Sequence, residues 1–328
     1  MKSSDSIHIT ISPRSVFLFT VIPLSLYSVW IMKDLLFSLL IGFILMSAMR
    51  PAVARLVARK VPRALAAGVT YLAFILIFLS LIWLIIPPII VETGNLIRSL
   101  PFIIQDISPD ASELINFNEL SRYIPDATNN IFGLITLVFS NVLFVMATLF
   151  FGLYLLLEEN MITAFLNRYF DLKKVTKIVR IISSAEKRMS SWFWGEIALM
   201  TVVGTLTYIG LTIIGIKYAL PLAVLAGLLE VVPNFGPTIS AIPAIILGFS
   251  TSYFMGFSAF ALYIIVQQLE NNVIVPMIMK RAVGINPIVT LVVLLVGGRL
   301  GGVLGVLLAI PIFLFAETII HEYIAPEK

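Results

Sequence analysis

Apolar stretches that match or approach the length of a membrane helix recur along the whole chain, at residues 16–32, 35–49, 64–88, 131–157, 197–216 and 259–279. A hydrocarbon core about 30 Å thick needs about 20 apolar residues per helix. Lipid offers the backbone no hydrogen-bond partners, so segments that cross it are helical. The pattern therefore predicts an all-α integral membrane protein.

Composition agrees with this fold class. Of the 328 residues, 59% are hydrophobic and 12% are charged, whereas a soluble domain is about half apolar and about one quarter charged. The chain has no cysteine, and its two histidines, His8 and His321, lie near the termini. Thiolate chemistry, histidine-based zinc sites and Ser/His/Asp triads are therefore not expected in the membrane body. We predict no enzyme activity, no cofactor and no nucleic-acid partner.

The distribution of charge predicts the topology. Residues 16–32 and 35–49 are separated only by Lys33 and Asp34, which predicts a tight hairpin of two short helices. Residues 50–63 hold five basic residues and no acid, and residues 158–190 hold seven basic residues, so the positive-inside rule places both segments in the cytoplasm. Residues 91–130 hold six acids against two arginines and are placed outside. We expect a multi-pass protein of the cell membrane with both termini cytoplasmic.

Four regions follow from this topology. Residues 1–90 form N-terminal membrane helices with a basic loop at 50–63, and residues 91–130 form a polar extracytoplasmic segment. Residues 131–194 hold a membrane helix and an inner amphipathic helix, which is either an interfacial helix, a subunit contact or a gate. Residues 195–328 form a C-terminal membrane region interrupted at 231–237 and 297–302. Glu158, Glu159 and Glu196 fall at predicted helix ends and are expected at headgroup level.

The C-terminal region contains helices too short to cross a bilayer. Residues 219–230 precede the sequence PNFGP and would form only about 18 Å of helix. A second break, GGRLGG, follows residues 287–296. Each broken pair either crosses once as an interrupted helix or forms a re-entrant hairpin, and a structural hairpin without a ligand is an alternative to a binding site. The predicted break residues are Pro233, Gly236, Pro237, Pro243, Gly297, Gly298, Gly301 and Gly302, the glycines also being typical of close helix packing.

Two acids lie within this apolar region, Glu230 and Glu270. An ionisable group inside a membrane is expensive and is by default a functional candidate. Each is either a proton carrier or cation ligand, or a residue at a helix end in contact with water. Around Glu270 the amides Gln267, Gln268, Asn271 and Asn272 are spaced to share one helical face, which suits either a polar solute or contacts between helices. Arg299 is either a partner of one acid or an interfacial residue.

The segments EVVPNFGPTISAIPAI (230–245) and QQLENNVIVPMIMKRAVGINPIVTLVVLLVGGRLGGVLGVLLAIPI (267–312) resemble the AI-2E family of transporters. The resemblance implies a bundle of about eight membrane helices that acts as a secondary transporter and has both termini in the cytoplasm. Some members are linked to export of autoinducer-2, and others resemble Na+(Li+)/H+ antiporters. It also implies roles for Pro276 and Pro287 at helix breaks. Here Met279-Lys280-Arg281 and Asn234-Phe235 depart from the family's usual pattern.

We therefore expect a permease that exports a small polar solute such as autoinducer-2 by alternating access between the two breaks. The alternatives are an Na+(Li+)/H+ antiporter and, from another class, a membrane scaffold that does not transport. The expected partners are the lipid bilayer, the solute, H+ or Na+, and further copies of the chain in a homo-oligomer. The predicted pathway residues are Glu230, Asn234, Gln267, Gln268, Glu270, Asn271, Asn272 and Arg299.

Overall fold

The computed structural model describes residues 13–83, 87, 142–158, 161–233, 235–279 and 286–324. The polar segment at 91–130, Asn234 and the Lys280-Arg281 pair lie outside the described residues. The described chain is helical throughout, which confirms the predicted fold class. We number the α-helices α1 Pro13–Ile31, α2 Lys33–Ala58, α3 Arg63–Trp83, α4 Val142–Leu157, α5 Met161–Leu166, α6 Leu172–Ile214, α7 Ala219–Leu229, α8 Phe235–Thr251, α9 Tyr253–Leu269, α10 Val275–Met279 and α11 Pro287–Ile324.

The predicted hairpin at Lys33 and Asp34 is wrong. Helical hydrogen bonds pass through the join between α1 and α2, from the Met32 N–H to the Ser28 carbonyl and from the Leu36 N–H to the Met32 carbonyl, both at 3.0 Å. Met32 itself has φ −88° and ψ 9°, in the bridge region beside helical values. Asp34, a residue that favours turns, lies in the first turn of α2, where the helix dipole stabilises an acid, and the join has no glycine or proline to reverse the chain.

Helices α2, α3 and α4 pack through small residues. A Cβ placed on Gly42 of α2 would lie 2.9 Å from the backbone nitrogen of Gly152 in α4, so the two backbones are in contact there. Tyr71 of α3 donates its hydroxyl proton to the Leu149 carbonyl of α4 at 2.7 Å. This trio forms one side of the molecule.

Helix α6 is the central element, a continuous helix of 43 residues that is roughly 64 Å long. The helix continues through residues 194 and 195, the predicted boundary between the third and fourth regions. It ends at Gly215, whose φ of +82° forms a left-handed cap that glycine adopts without steric strain. The helix is long enough to belong both to the predicted inner amphipathic segment and to a membrane span.

The apolar face of the inner half of α6 is covered by the chain itself. Val175, Ala185 and Met189 are buried, and Met189 belongs to a core cluster that includes Leu308 and Leu314 of α11. That face is therefore used for internal packing.

The first predicted break is present. Helix α7 has 11 residues and ends at Leu229, and α8 begins at Phe235 after a turn. Helix α7 lies against α6 through glycines, because a Cβ on Gly227 would lie 2.7 Å from the Met200 carbonyl oxygen. Helices α8 and α9 are joined at Ser252, whose hydroxyl accepts the Met255 N–H at 3.1 Å and so caps α9.

The second predicted break is present within α11. Gly302 has φ 59° and ψ −139°, which is not helical and is readily adopted only by glycine. A Cβ on Gly297 would collide with the Gly305 carbonyl oxygen and lie 2.9 Å from the Ala309 Cβ. In a straight helix, residues eight apart are about 12 Å apart along the axis. The two halves of α11 therefore fold against each other at Gly302.

Basic residues from separate parts of the chain meet in one layer. Arg50 of α2 pairs with Glu186 of α6, and Arg188 of α6 pairs with Glu317 of α11 at 2.6 Å. Arg63 donates to the carbonyls of Leu156 and Leu157 at 3.2 Å each, at the end of α4. The two segments predicted to share the cytoplasmic side thus lie on the same side of the molecule, together with the end of α11.

Five helices in the described part of the chain are long and apolar enough to cross a membrane: Lys33–Ala58, Arg63–Trp83, Leu172–Ile214, Tyr253–Met279 and Ile288–Glu322. The last of these is folded at Gly302, so it is not a single straight span. Three shorter apolar helices accompany them: Val142–Leu157, Ala219–Leu229 and Gly236–Thr251. The chain is a membrane protein.

Candidate functional site

Three glutamates from separate elements are buried together near the first break. Glu196 lies in the middle of α6, Glu230 directly follows α7, and Glu270 begins the segment after α9. Their side chains are only 6%, 2% and 3% exposed, respectively. The carboxyl groups of Glu230 and Glu270 are close enough to share a hydrogen bond, and Glu196 interacts electrostatically with both.

Each carboxyl group also has an oxygen without a partner. Glu196 Oε1, Glu230 Oε2 and Glu270 Oε2 are buried and accept no hydrogen bond. None of the described ion pairs joins an arginine or lysine to these acids. Transfer of an unpaired carboxylate into an apolar environment is prohibitively costly, and carboxylates placed together repel one another. The cluster therefore requires a bound proton or another cation to offset its charge.

A π-helical turn positions Glu270. Residues Glu270–Ile274 form a π-helix, and the Val275 N–H bonds to the Glu270 carbonyl five residues earlier. Pro276 explains the wider turn, because proline has no N–H and its ring displaces the carbonyl four residues before it, that of Asn272. Such turns are frequent at functional sites. In this chain the turn directs the Glu270 side chain toward α6 and α7, as its burial beside Glu196 and Glu230 shows.

The cluster of three glutamates is displaced from the basic layer along the axis of α6. Glu196 follows Arg188 by eight residues on the continuous helix α6, which places it roughly 12 Å further along the helix axis. Half of a hydrocarbon core is about 15 Å. With Arg188 at the membrane surface, the carboxyl groups would lie close to the bilayer midplane.

The prediction that Glu196 lies at a helix end is wrong, because it lies inside α6. One buried face of α6 consists of residues at three- and four-residue spacing, namely Met189, Trp192, Glu196, Leu199 and Val203. Gly195 lets α10 approach, since a Cβ there would lie 2.7 Å from the Met279 sulfur. This spacing was the sequence signal that could have identified Glu196. Glu158, by contrast, is exposed and directly follows α4, at a helix end as predicted, and Glu159 lies outside the described residues.

The predicted amide face does not surround Glu270. Gln268, Asn271 and Asn272 are exposed, and Gln267 is half-buried. Asn272 donates to both the backbone carbonyl and the side-chain Oε1 of Gln268, at 2.9 Å each. The exposed amides are one or two positions from Glu270, and residues at that spacing do not share a helical face.

The other predicted residues fall at or near the breaks. Arg299 is exposed, and no described ion pair joins it to an acid. Gly236 is buried at the start of α8, where a Cβ would collide with the Leu229 carbonyl oxygen. Pro233 is half-buried in the turn before α8, and Pro243 lies inside that helix. Pro287 begins α11, a position that suits proline because the first helical N–H groups have no partner in the helix.

The described residues hold no group of three His, Cys, Asp or Glu side chains arranged to hold a metal ion. The three glutamates are thus a cluster of mutually interacting carboxyl groups. They are not arranged as a preformed ligand set.

Sequence comparison gives a consistent answer over nearly the whole chain. A sequence model of the family described as "AI-2E family transporter" matches residues 18–325. YueF of Bacillus subtilis, a transport protein by name, is 27% identical over 303 residues, which cover 86% of this chain and 82% of YueF. A Synechocystis transport protein by name, sll0060, is 24% identical over 81% of this chain and 80% of its own length. YhhT of Escherichia coli, also a transport protein by name, is 35% identical over a shorter stretch, 39% of this chain and 37% of YhhT.

Proposed function

Because the chain belongs to the AI-2E family of transporters, we propose that it is a secondary transporter in which the buried cluster of Glu196, Glu230 and Glu270 carries protons. The transported species is a small polar solute such as autoinducer-2, which moves out of the cell in exchange for protons. The basic layer faces the cytoplasm, in a cell membrane. The single observation that supports this proposal is the burial of three carboxyl groups beside a helix break, with no cationic partner among the residues that the structure describes.

The position of the cluster favours coupling to conformational change. Its members belong to α6, to the end of α7 and to the π-helical turn. Movement of the short helices α7 and α8 against the long helix α6 would separate Glu230 from Glu196. Since the cost of an unpaired carboxylate depends on its surroundings, proton binding and release would follow that movement. Secondary transporters commonly build such sites at broken helices near the midplane.

A second candidate function is antiport of Na+ or Li+ against H+. The same cluster favours it, because clustered carboxyl oxygens with no basic partner attract a monovalent cation as well as a proton. In this case the cation is the substrate, and protons and cations compete for Glu230 and Glu270. The two candidates share the proton site and differ in what is exchanged for the proton.

The experiment that separates them uses the purified protein in proteoliposomes with an imposed pH gradient and a pH dye inside. Na+, Li+ and K+ are added in turn to one set of vesicles, and a second set contains trapped autoinducer-2. Proton movement that requires Na+ or Li+ supports antiport. Proton movement accompanied by loss of trapped autoinducer-2 supports solute export. Traces equal to those of protein-free vesicles in both sets would contradict proton-coupled transport of these species.

A further inference from the structure

A groove between α8 and α9 is lined by one face of each helix. Its volume is about 370 Å³, which is within the range of about 300–1,000 Å³ typical of small-molecule sites. Five residues come from α8 and five from α9, each set at helical spacing: Pro237, Thr238, Ala241, Ile242 and Ile245, and Phe260, Tyr263, Ile264, Gln267 and Gln268.

The groove has a polar end and an apolar end. Thr238, Gln267 and Gln268 lie where α8 begins and α9 ends, next to the first break. Ile245 and Phe260 lie at the other end, toward the turn that joins the two helices. The lining includes hydroxyl and amide groups but no charged residue. An occupant that matches it is therefore uncharged, with a hydrogen-bonding head and an apolar body.

A buried hydroxyl in the wall of the groove has no well-formed hydrogen bond. Tyr263 is 6% exposed, and its hydroxyl lacks a partner at good hydrogen-bond geometry. The Ser240 hydroxyl lies close to it but donates its own proton to the Pro237 carbonyl at 2.9 Å. Because a buried hydroxyl without a good hydrogen bond is destabilising, a ligand that supplies one would gain affinity there.

The groove is also open to the surroundings of the helices. Ile242 and Phe260 in its walls are 55% and 50% exposed, and in a membrane these side chains face lipid. A molecule that dissolves in the bilayer can therefore reach the groove sideways, without first passing through water.

We propose that this groove binds an uncharged amphipathic small molecule, with its head at Tyr263 and Gln267 and its apolar body along Ile242 and Ile245. The proposal rests on the proposed function and adds to it, by giving amphipathic solutes that dissolve in the bilayer a route to the proton site. Gln267 precedes Glu270 by three residues, and the polar end borders the break that follows Glu230. A bound head therefore lies beside the segment that carries the buried carboxyl groups.

The natural absence of cysteine allows a direct test. Ile242→Cys places one thiol in the groove, and Ile239→Cys is its matched control, because Ile239 is on the same helix and equally exposed, at 52%, but does not line the groove. Each full-length variant is labelled with N-ethylmaleimide in liposomes. The probe is N-hexanoyl ethanolamine, and its two controls are hexanoate, which has a charged head, and N-acetyl ethanolamine, which lacks the tail.

We expect N-hexanoyl ethanolamine alone to slow labelling of Ile242→Cys, by about tenfold near ten times its Kd, since about one tenth of the sites are then empty. Labelling of Ile239→Cys stays unchanged. Three results would overturn the proposal. They are equal protection of both cysteines, no protection of either cysteine, and protection by hexanoate equal to that by N-hexanoyl ethanolamine. A groove cysteine that is unreactive before any probe is added would also overturn it, since it would indicate a resident lipid chain or a neighbouring copy.

A second variant tests the role of the hydroxyl. Tyr263→Phe keeps the ring that packs in the core and removes only a hydroxyl that has no well-formed hydrogen bond. In the Ile242→Cys background it should weaken binding of N-hexanoyl ethanolamine about five- to tenfold, the usual effect of one lost hydrogen bond. Unchanged protection would remove Tyr263 from the binding site. The labelling experiment needs no transport. Protection of the groove cysteine without proton flux would therefore contradict only the proposed function. Proton flux without protection would contradict only the proposed binding groove.

Discussion

At the scale of single residues, the burial of Glu230 is most simply explained by function. It is 2% exposed and one of its carboxyl oxygens has no partner. A buried acid that stabilised the fold would be expected to have a complete set of hydrogen bonds or a basic partner. Glu230 has neither among the described residues. A carboxyl group at this position would therefore serve transport at the expense of stability.

A prediction about stability follows for Glu230→Gln. Glutamine has nearly the shape of glutamate and cannot ionise, so this substitution removes the cost of burying an ionisable group without a basic partner. We expect an unchanged or higher midpoint of thermal unfolding in detergent, together with loss of proton-coupled transport. A clear fall in the midpoint with transport retained would show that Glu230 has a structural role.

Glu196 provides a second test at this scale. Glu196→Gln is expected to reduce proton-coupled transport to near the level of protein-free vesicles, because its carboxyl group interacts with both Glu230 and Glu270. Glu158→Gln, which changes an exposed acid at the end of α4, should transport as the wild type does. Equal flux from the two variants would exclude Glu196 from the proton site. The measurement is the internal-dye proton flux, with equal amounts of folded protein in the vesicles.

At the scale of helices, both breaks depend on backbone contacts that only glycine allows. Gly236 lets the start of α8 pack against the Leu229 carbonyl, and Gly297 lets the two halves of α11 meet at Gly305. At the first break Glu230 and Gly236 are buried and residues 231–233 are half-buried, so the unpaired backbone groups there lie at least partly inside the protein. Lipid could not satisfy those groups.

Two neighbouring glycines of α11 test this account. In Gly297→Ala the new Cβ would collide with the Gly305 carbonyl, whereas in Gly298→Ala it would lie 3.1 Å from the Val306 Cγ2, at the end of a side chain. We expect Gly297→Ala to lose about 1–3 kcal/mol of stability, as overpacked sites do, and Gly298→Ala to be near neutral. Thermal unfolding of the two purified variants in the same detergent provides the measurement. Similar midpoints would contradict the folded-back arrangement of α11.

The sequence predicted the breaks better than it predicted the site. PNFGP and GGRLGG have the glycines and prolines that the turns need, so their positions could be recognised locally. Glu196 could not be recognised in the same way, because its partners lie 34 and 74 residues further along the chain. The π-helical turn at Glu270 likewise depends on Pro276 and on packing. The hairpin at Lys33 failed because charge alone does not turn a chain.

At the scale of the complete fold, the basic layer distinguishes one end of the membrane helices from the other. Arg50–Glu186 and Arg188–Glu317 tie α2, α6 and α11 together at one level. From that layer α6 continues to Ile214, 26 residues beyond Arg188 and so roughly 39 Å away. This length is sufficient to cross the hydrocarbon core. The two ends of α6 are therefore expected on opposite sides of the membrane.

Single cysteines at the two ends test this orientation. Lys187 and Lys217 are both exposed lysines, one in the basic layer and one just after α6. In intact cells, a maleimide that cannot cross the membrane should label Lys217→Cys and should label Lys187→Cys only after the cells are opened. The reverse pattern would invert the proposed orientation, and labelling of both in intact cells would contradict a membrane-spanning α6.

The most direct test of the account is the proton flux of Glu270→Gln compared with Glu158→Gln, in proteoliposomes with an imposed pH gradient and the species that the wild type exchanges for protons. Both variants lose one carboxylate, but only Glu270 belongs to the buried cluster. We expect wild-type proton flux in Glu158→Gln and proton flux at the level of protein-free vesicles in Glu270→Gln. Wild-type flux from a folded Glu270→Gln protein would contradict the claim that the buried carboxyl cluster carries the proton.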